Sequence, residues 1–344
     1  MVFDPNAKEA ELVAEAARWD TSAPVQAGVG DVPLVDIAAW SASGDRRHLE
    51  VAASALRTAC ENVGFFQLTG HDLGNHDLGN HDLGGTGIGE IFAEAARFHA
   101  LPLEVKQQII IDNPDWPLRG VGYLPLGERR LPRRTKGNRN EAFLIKSDKT
   151  ISSDDNQWLP DEALPGFRSR VEAYGAAAEA LALQLIKVYA VALDLEPDWF
   201  DAAFEDPFWR LRLTHYPPEP NRDAEAFGIA PHVDTTFFTL LLQDSPGLTI
   251  HHAGRDEWIQ VPYVPGAVVV NTGELLRQWS NDRFLSTRHF ANNDAKVARY
   301  SIPLFFNASG DWPMECLPTC HGPGNPPKYP TISYNESQAV VQGE

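Results

Sequence analysis

The sequence predicts a mainly β protein with α-helices, built around a β-barrel or jelly roll. Seven short apolar, β-branched and aromatic runs follow Pro197, and turn pairs such as Pro246-Gly247, Ala253-Gly254 and Pro265-Gly266 separate them. Short strands at this spacing are typical of an all-β barrel or jelly roll. The candidate strands are residues 208–216, 237–243, 247–250, 257–261, 266–270, 285–290 and 299–306.

The sequence pattern of the N-terminal half predicts two helices with one short strand between them. Asp45 is placed to cap a helix that runs to about Asn62, because apolar side chains then share one face at helical spacing. Gly64 ends this helix, and residues 65–68 form a short apolar strand. A second helix is expected over about 89–100, where a Leu-Pro pair stops it.

A long helix precedes the β half of the chain. Apolar side chains recur in steps of three and four from Val171 to Ala192, which predicts a core-facing stripe. Residues 107–165 are rich in Gly, Pro and charge and are interpreted as irregular connections with short strands. We therefore expect an N-terminal region over 1–165 and a long helix plus barrel over 166–344. No Gly/Ser-rich linker separates them, which favours one integrated unit.

A tandem five-residue repeat interrupts the N-terminal region. His71 to Asn75 is repeated as His76 to Asn80 and again as His81 to Gly84. The His-Asp pairs resemble metal ligands, but they are adjacent, Gly-rich and without an apolar frame to hold them. We interpret the segment as a duplicated loop, with a loop metal site as the alternative.

Charge and hydropathy exclude some classes of protein. The formal net charge is −18, which disfavours a nucleic-acid binder because such proteins must neutralise phosphates. The sequence shows no apolar run close to the roughly 20 residues that a membrane helix needs. The segment Met1–Trp19 lacks the pattern of a secretory signal. A cytoplasmic location is expected. One basic cluster is interpreted as a solvated loop, or alternatively as a lid over an anionic substrate: Arg129, Arg130, Arg133, Arg134, Lys136 and Arg139.

The cysteine count argues against a disulfide scaffold. Only Cys60, Cys316 and Cys320 are present. Cys316, Cys320 and His321 lie close enough in sequence to suggest zinc, but no second pair of ligands matches them. We expect free thiols.

One short motif has the residue types of an iron site. His232 and Asp234 lie just before the strand predicted at 237–243, and in a strand residues i and i+2 point to the same face. Two histidines and one carboxylate on one side of Fe(II) leave three coordination positions open for substrates and O₂. Five other histidines of the β half compete for the third ligand: His215, His251, His252, His289 and His321.

A second pair of residues selects His289 from this group. Arg299 and Ser301 follow it by ten and twelve residues and share a strand face by the same period of two. A guanidinium beside a hydroxyl makes a clamp for a carboxylate. A metal with open positions near such a clamp fits a dicarboxylic co-substrate such as 2-oxoglutarate, whose keto-acid end would chelate the iron.

These residues also carry a resemblance to the isopenicillin N synthase-like family of 2-oxoglutarate/Fe(II) dioxygenases. The resemblance extends over roughly residues 32 to 334, with pieces in the family's order. The matching segments are Val32–Asp36, Gly64–His71, Phe98–Lys106, Gly120–Tyr123, Leu211–Pro218, His232–Asp234, Gly247-Leu248, Trp258, Pro265-Gly266, Asn271–Gly273, Ser280-Asn281, Ser286–His289 and Arg299–Ser301.

The resemblance implies a double-stranded β-helix (jelly-roll) core supported by helices, with iron on His232, Asp234 and His289. It implies 2-oxoglutarate on Arg299 and Ser301, with Tyr216 matching the tyrosine near that carboxylate. Many members have Asn where this chain has Thr214, and Asp where it has Glu274. The first departure puts some co-substrate contacts in question.

The resemblance further implies an enzyme that oxidises a small metabolite with O₂, releasing succinate and CO₂, with ascorbate as a candidate activator. Hydroxylation is the default outcome, and desaturation or demethylation are variants. An aromatic pocket lining would suit an apolar or aromatic substrate, and no nucleic acid, membrane or obligate protein partner is expected. The candidate lining residues are Arg212, Phe143, Phe238, Phe305 and Phe306.

Alternatives remain open from the sequence. An iron-dependent oxidase of the same family that does without 2-oxoglutarate can retain the Arg-x-Ser pair. A non-catalytic β-barrel binding protein could use the pocket for a ligand alone. A zinc hydrolase on the same ligands is chemically feasible, although the sequence places no general base for it.

Overall fold

The computed structural model describes residues 24–28, 30–73, 87–128, 137–219, 221 and 226–342. The repeats from Gly74 onward, and the cluster residues between Arg129 and Lys136, lie outside these ranges. Of the first repeat, His71 is described, and its Nε2 lies 3.0 Å from the carbonyl oxygen of Gly266.

The chain forms helices mainly before residue 193 and strands mainly after residue 207. The helices are α1 (Ala38–Ser43), α2 (Arg46–Asn62), α3 (Gly87–His99), α4 (Leu103–Lys106), α5 (Phe167–Ala192), α6 (Glu274–Trp279) and α7 (Tyr334–Gln342). The strands are β1 (Val25–Gln26), β2 (Leu34–Asp36), β3 (Phe65–Thr69), β4 (Gly122–Leu124), β5 (Glu141–Ser147), β6 (Phe208–Tyr216), β7 (Ile229–His232), β8 (Phe238–Gln243), β9 (Leu248–His252), β10 (Glu257–Gln260), β11 (Val268–Thr272), β12 (His289–Ala291) and β13 (Arg299–Asn307).

Two sheets form the jelly-roll core. The larger has eight strands in the order β2-β3-β11-β8-β13-β6-β5-β4, and the smaller has five in the order β1-β10-β9-β12-β7. The predicted fold class, a mainly β jelly roll supported by helices, is confirmed. Strands from residues 1–165 lie at both edges of the larger sheet, hydrogen-bonded to strands from the second half.

Side chains alternate between the two faces of the larger sheet. Its outer face packs against the helices, as the ring of Phe238 stacks on that of Tyr189 in α5 with centroids 5.2 Å apart. Its inner face turns toward the smaller sheet, and Thr239 and Leu241 line the cavity between the sheets. The period of two along β8 therefore decides which side chains belong to the hydrophobic core and which to the cavity.

The first long helix agrees with its sequence signals. Asp45 is the N-cap of α2, and its carboxylate accepts a hydrogen bond of 2.7 Å from the backbone N–H of Arg47. The chain turns after the helix at Gly64, which adopts φ +75°. A Cβ at this position would meet the carbonyl oxygen of Leu285 at 2.6 Å, so only glycine fits both the conformation and the space.

One segment agrees with the sequence prediction and one differs from it. Residues 141–147 form β5 in the larger sheet, one of the short strands expected among the irregular connections of 107–165. The strand expected over 285–290 is reduced to β12, because the preceding residues bind the end of α2. The Leu285 N–H donates to the Cys60 carbonyl and the Thr287 hydroxyl donates to the Val63 carbonyl.

Helix α5 requires a correction to the hydropathy analysis. It is long and apolar enough to cross a membrane by length and composition alone. Two thirds of its most apolar stretch is buried inside the protein, where it packs against α2, α3 and the outer face of the larger sheet. Its hydrophobicity is therefore that of a core helix.

Candidate active site

Three of the predicted ligand side chains meet between the two sheets. The Nε2 atoms of His232 and His289 lie 3.4 and 3.7 Å from Oδ1 of Asp234. The two imidazole rings are 4.3 Å apart between centroids. Asp234 and His289 are buried and His232 is partly exposed. The three side chains can thus offer one ligand atom each to a single metal ion.

Strand pairing and a turn position these ligands. His232 ends β7 and His289 begins β12, and the two residues are direct partners in the antiparallel register. Asp234 lies in the loop after β7, so the strand period invoked for the His-x-Asp pair does not place it. Its carbonyl instead accepts a hydrogen bond of 2.8 Å from the N–H of Glu274.

Backbone carbonyls select the histidine tautomer that a metal site requires. Nδ1 of His232 lies 2.8 Å from the carbonyl oxygen of Ala230, and Nδ1 of His289 lies 3.1 Å from that of Thr287. A carbonyl only accepts, so each Nδ1 carries the hydrogen and each Nε2 keeps its lone pair. Burial, with His232 beside it, lowers the pKa of His289 to about 4. His289 is therefore neutral at pH 7, as a metal ligand must be.

The other carboxylate oxygen of Asp234 is held by two neutral donors. Oδ2 accepts hydrogen bonds from the hydroxyl of Thr239 at 2.7 Å and from the amide of Asn271 at 2.9 Å. Burial alone would raise the pKa of Asp234, but the two histidines and Asn271 hold it well below its usual value. Oδ1 is thus an anionic oxygen facing two nitrogen lone pairs, an arrangement that fits a divalent cation.

We expect Thr239→Val to weaken Fe(II) binding by roughly 10- to 100-fold, because removal of a group that orients a ligand has effects of this size. Anaerobic Fe(II) titration measures the change. Thr214→Val is the matched control, since Thr214 is also fully buried on the inner face but does not contact Asp234. Equal iron affinity in wild type and Thr239→Val would contradict an orienting role for this hydroxyl.

A buried guanidinium lies deeper in the same cavity. Arg299 is 1% exposed, and its Nη2 and Nε donate to Gln243 at 3.2 Å and to the Ser245 carbonyl at 3.3 Å. Its Nη1 is buried and finds no acceptor within the described part of the chain. The Ser301 hydroxyl lies 3.4 Å from the Tyr216 hydroxyl, and the Tyr216 ring lies 4.7 Å from the guanidinium.

This arrangement of donors around a buried cation is suited to binding an anion. A buried charge without a counter-ion is costly, and no carboxylate within the described ranges pairs with Arg299. A ligand carboxylate would pair with Nη1 and reach the hydroxyls of Ser301 and Tyr216. The predicted clamp residues Arg299 and Ser301 therefore share the inner face of β13, as the strand period requires.

One cavity connects the histidine–aspartate cluster with the buried arginine. Both sheets contribute to its wall, and most of the exposed lining is apolar. Its lining residues are Phe65, Tyr216, Ile229, His232, Asp234, Thr239, Leu241, Leu248, Asn271, His289, Ala291, Arg299, Ser301, Pro303 and Phe305.

Three aromatic residues expected in this cavity lie elsewhere. Phe143, Phe238 and Phe306 are fully buried in the core between the larger sheet and the helices. Strand parity explains the correction, because Phe238 and Phe306 point to the outer face of their strands. Phe305, one residue before Phe306, points inward and lines the cavity.

Arg212 lies on the inner face of β6, two strand periods before Tyr216, but does not line this cavity. It is 7% exposed, and its Nη2 donates to the side-chain oxygen of Asn140. The Asn140 amide in turn donates to the Gly228 carbonyl at 2.5 Å. Its position in the structure is that of a residue tying β6 to the segment before β7.

The remaining histidines of the β half take no part in the cluster around Asp234. His251 pairs with the exposed Asp256 at 3.2 Å, and His321 is exposed. Cys316 and Cys320 are free thiols and, within the described residues, form no metal-ligand group with His321. His215 belongs to a separate cluster.

That second cluster lies behind the larger sheet and contains its own cation. His215 Nδ1 and Lys106 Nζ each lie 2.8 Å from the carboxylate of Glu141, and the Tyr123 hydroxyl donates to it at 2.6 Å. His99 lies 3.6 Å from the same carboxylate. Because the Lys106 ammonium already neutralises Glu141, the group is an ion-paired structural network and a poor metal site.

Glu141 gives the protein a predicted dependence of stability on pH. Burial would raise its pKa, but the hydrogen bond with His215, the nearby His99 and the Lys106 ammonium hold it well below the usual value. Its stabilising effect is therefore complete above the ordinary glutamate pKa of about 4.3 and declines as pH falls below it. We expect Glu141→Gln to lower the free energy of unfolding by about 2–3 kcal/mol at pH 7, because Lys106 stays buried without its counter-ion.

Urea denaturation of wild type and Glu141→Gln between pH 3 and pH 7 measures both effects. The difference between them should shrink toward the acid end. Glu50→Gln is the control, because the Glu50 side chain is 54% exposed in its ion pair with Arg46. We expect a change within about 0.5 kcal/mol there. A pH-independent difference for Glu141→Gln would contradict the assigned charge.

Comparison with known proteins identifies the family. A model of the 2OG-Fe(II) oxygenase superfamily matches residues 209–308, and a model described as non-haem dioxygenase in morphine synthesis N-terminal matches residues 32–162. The 2-oxoglutarate-Fe(II) type oxidoreductase hxnY of Emericella nidulans is 34% identical over 297 residues, covering 82% of this chain and 81% of that protein. The chain belongs to the 2-oxoglutarate/Fe(II) dioxygenase family.

Other relatives agree with this assignment. Kihadalactone A synthase LFS of Citrus sinensis is 31% identical over 306 residues, covering 82% of this chain and 84% of that protein. The crystal structure of a full-length Neurospora crassa protein in complex with alpha-KG and 5-formyluracil superposes with a TM-score of 0.74 at 25% identity. It covers 92% of this chain and 97% of that chain. The protein is a 2-oxoglutarate-dependent dioxygenase, and its family uses Fe(II), 2-oxoglutarate and O₂.

The structure shows the surroundings of the two residues that differ from those of many dioxygenases, Thr214 and Glu274. Thr214 lies opposite Ser301 in the register of β6 and β13, and its buried hydroxyl has no partner in the described part of the chain. Glu274 forms two hydrogen bonds with Arg277, of 2.6 and 2.9 Å, and helps fix α6 beside Asp234.

Sequence reasoning missed three polar or aromatic residues of the site. Thr239 orients Asp234, Gln243 binds Arg299, and Phe65 packs edge-on against His289 with ring centroids 5.2 Å apart. Thr239 and Gln243 could have been found from β8 alone, because they lie four residues apart on the same face of that strand.

Proposed function

We propose that His232, Asp234 and His289 hold the Fe(II) of this dioxygenase and that Arg299, Ser301 and Tyr216 bind the far carboxylate of 2-oxoglutarate. The observation that carries the proposal is the shared cavity. Two Nε2 lone pairs and an anionic oxygen converge at one end, and a buried guanidinium nitrogen without an acceptor in the described part of the chain lies toward the other.

The proposed site residues have two roles: some bind the iron or 2-oxoglutarate, and others orient the groups that bind. Bound Fe(II), with 2-oxoglutarate and O₂, supplies the oxidising chemistry and yields succinate and CO₂ as co-products. Ala230 and Thr287 carbonyls keep both histidines in the ligand tautomer. With three protein ligands, a bound metal ion would keep further coordination positions for the co-substrate and O₂. The clamp at Arg299 fixes the orientation of the co-substrate.

The substrate of this proposal is a small, apolar or aromatic metabolite, and hydroxylation is the proposed outcome. Phe65, Ile229, Leu241, Leu248 and Phe305 give the cavity an apolar wall close to the ligand cluster. Such walls exclude water from the reacting centre. The Neurospora crassa structure, whose complex contains 5-formyluracil, is a relative with a small-molecule ligand.

The proposal extends to the setting of the enzyme. We place it in the cytoplasm as one integrated catalytic unit without a nucleic-acid, membrane or obligate protein partner. The net charge of −18 supports the absence of phosphate-backbone contacts. Both regions of the chain contribute strands to the larger sheet, with strands of residues 1–165 at both of its edges, and this supports a single unit.

Anaerobic titration with Fe(II) and 2-oxoglutarate tests the site. We expect a weak visible charge-transfer band that requires both components, because only a keto acid chelated to the iron gives it. Succinate formation in air should then rise when apolar or aromatic compounds are added. Iron binding without a band would contradict the assignment of the 2-oxoglutarate site, and failure to bind Fe(II) would contradict the ligand assignment.

A further inference from the structure

One row of side chains crosses the inner face of the larger sheet from the proposed iron site to β5. Adjacent strands place these residues directly opposite one another, and they lie about 4.8 Å apart from strand to strand. At one end the row contacts the proposed ligands, since Phe65 packs on His289 and both Asn271 and Thr239 bind Asp234. The row is Phe65, Asn271, Thr239, Phe305, Arg210 and Lys146.

The fifth member of the row is a cation without an acidic partner in the part of the chain that the structure describes. The guanidinium carbon of Arg210 lies 4.9 Å from the ring centroid of Phe305, which itself lines the cavity. Nε of Arg210 is buried and has no hydrogen-bond acceptor among the residues that the structure describes. Within the same residues Arg210 forms no ion pair. A buried donor of this kind is costly when it stays unpaired.

The last member of the row is a second cation. Lys146 stands opposite Arg210 in the register of β5 and β6, and its Nζ donates to the Arg119 carbonyl at 2.7 Å. Asp112 and Asp148 lie near enough to influence Lys146, but neither forms an ion pair with it. Burial and the charge of Arg210 lower the pKa of Lys146 to about 8. Like charges directly opposite each other destabilise a sheet unless an anion binds between them.

We propose that Arg210 and Lys146 form an anion subsite and that the substrate of this dioxygenase is a carboxylic acid. Its carboxylate would pair with Arg210 while its apolar or aromatic body lies against Phe305, toward His232 and Asp234. This inference rests on the proposed function and narrows its substrate class. The subsite is separate from the 2-oxoglutarate clamp, because Arg299 lies six residues along β13 from Phe305.

A carboxylate suits this subsite better than a phosphate dianion. Lys146 already donates one hydrogen bond to a backbone carbonyl, so the guanidinium of Arg210 supplies most of the donors that the pair offers to a ligand. A guanidinium matches the two oxygens of a carboxylate with parallel hydrogen bonds. The ring of Phe305 covers one side of the guanidinium and leaves an apolar surface for the rest of the molecule.

The test compares carboxylic acids with their neutral primary amides. Enzyme loaded anaerobically with Fe(II) and 2-oxoglutarate is titrated calorimetrically with a panel of aryl and alkyl acids and amides, including 3-phenylpropanoate and 3-phenylpropanamide. We expect the acids that bind to exceed their amides by roughly 10- to 100-fold in affinity, the size expected for hydrogen bonds to a charged group. Succinate formation in air should follow the same order.

Variants test whether the preference for acids over amides arises from Arg210 and Lys146. Arg210→Gln should remove the preference of the enzyme for acids, Lys146→Gln should reduce it, and Arg210→Lys should retain part of it. Arg46→Gln is the matched control, because Arg46 is exposed in α2 and paired with Glu50 and Glu196. It should leave the preference unchanged.

Two results would overturn the inference. Either no acid binds the wild-type enzyme better than its amide, or the preference survives in the Arg210→Gln/Lys146→Gln double variant. The charge-transfer band recorded in the same samples separates this failure from that of the proposed function. A normal band without acid preference rejects the anion subsite alone, whereas loss of the band in the wild type rejects the 2-oxoglutarate site.

Discussion

Replacing Asp234 with alanine is expected to abolish Fe(II) binding and to reduce turnover by more than about a thousandfold. The carboxylate supplies the only negative charge among the three proposed ligands, and its Oδ1 faces both Nε2 atoms at 3.4 and 3.7 Å. Loss of a residue that merely orients a ligand already reduces metal affinity or activity by about 10- to 100-fold, so loss of the charged ligand must have a larger effect.

Iron content after anaerobic reconstitution and succinate formation measure this prediction. Asp234→Asn is a second variant that keeps the side-chain volume and shows whether the charge itself is required. Asp201→Ala serves as the control, because Asp201 is an exposed carboxylate paired with Lys187. An Asp234→Ala protein that keeps its iron and turns over 2-oxoglutarate would refute the ligand assignment.

Replacing Arg299 with glutamine is expected to weaken 2-oxoglutarate binding by roughly a hundredfold to a thousandfold while Fe(II) binding persists. Truncation of one partner in a buried, hydrogen-bonded charge pair has effects of about 2–5 kcal/mol, and the expected change, about 2.7–4.1 kcal/mol, lies within that range for a residue only 1% exposed. In the absence of 2-oxoglutarate the same change removes a buried charge that lacks a counter-ion in the described part of the chain. We therefore expect the free protein to be at least as stable as the wild type.

The charge-transfer band at increasing 2-oxoglutarate gives the affinity, and thermal unfolding without 2-oxoglutarate gives the stability. Arg299→Lys should fall between wild type and Arg299→Gln, because a lysine keeps the charge but loses the bidentate geometry. Arg168→Gln, at an exposed ion pair of α5, controls for loss of any arginine. Equal 2-oxoglutarate affinity in wild type and Arg299→Gln would place the co-substrate carboxylate elsewhere.

The sequence by itself determined the elements whose signals are local. The Asp45 cap and the apolar period that follows it specify α2, and short runs rich in apolar and aromatic residues specify β6 and β13. Arg299 and Ser301 share one face of β13 for the same local reason. The sequence alone therefore identified the candidate site residues: the His-x-Asp motif, the second histidine and the Arg-x-Ser pair.

Only the tertiary structure decided which face became the inside of the jelly roll. The strand period says that Phe305 and Phe306 point in opposite directions, but not which one meets the cavity. That choice depends on the pairing of β13 with β6 and β8 and on the helices that cover the other face. The same long-range pairing places Arg210 beside Phe305, although no local pattern marks this arginine.

Tertiary contacts also decided the ends of the ligand segments. Asp234 follows β7 in a loop, where Thr239, Asn271 and the Glu274 N–H hold it, and none of these partners is adjacent in sequence. The segment before His289 is not a strand over most of its predicted length, because the Leu285 N–H and the Thr287 hydroxyl donate to carbonyls at the end of α2. Local periodicity thus determined residue faces and element types, while hydrogen bonds between distant segments determined where each ligand points.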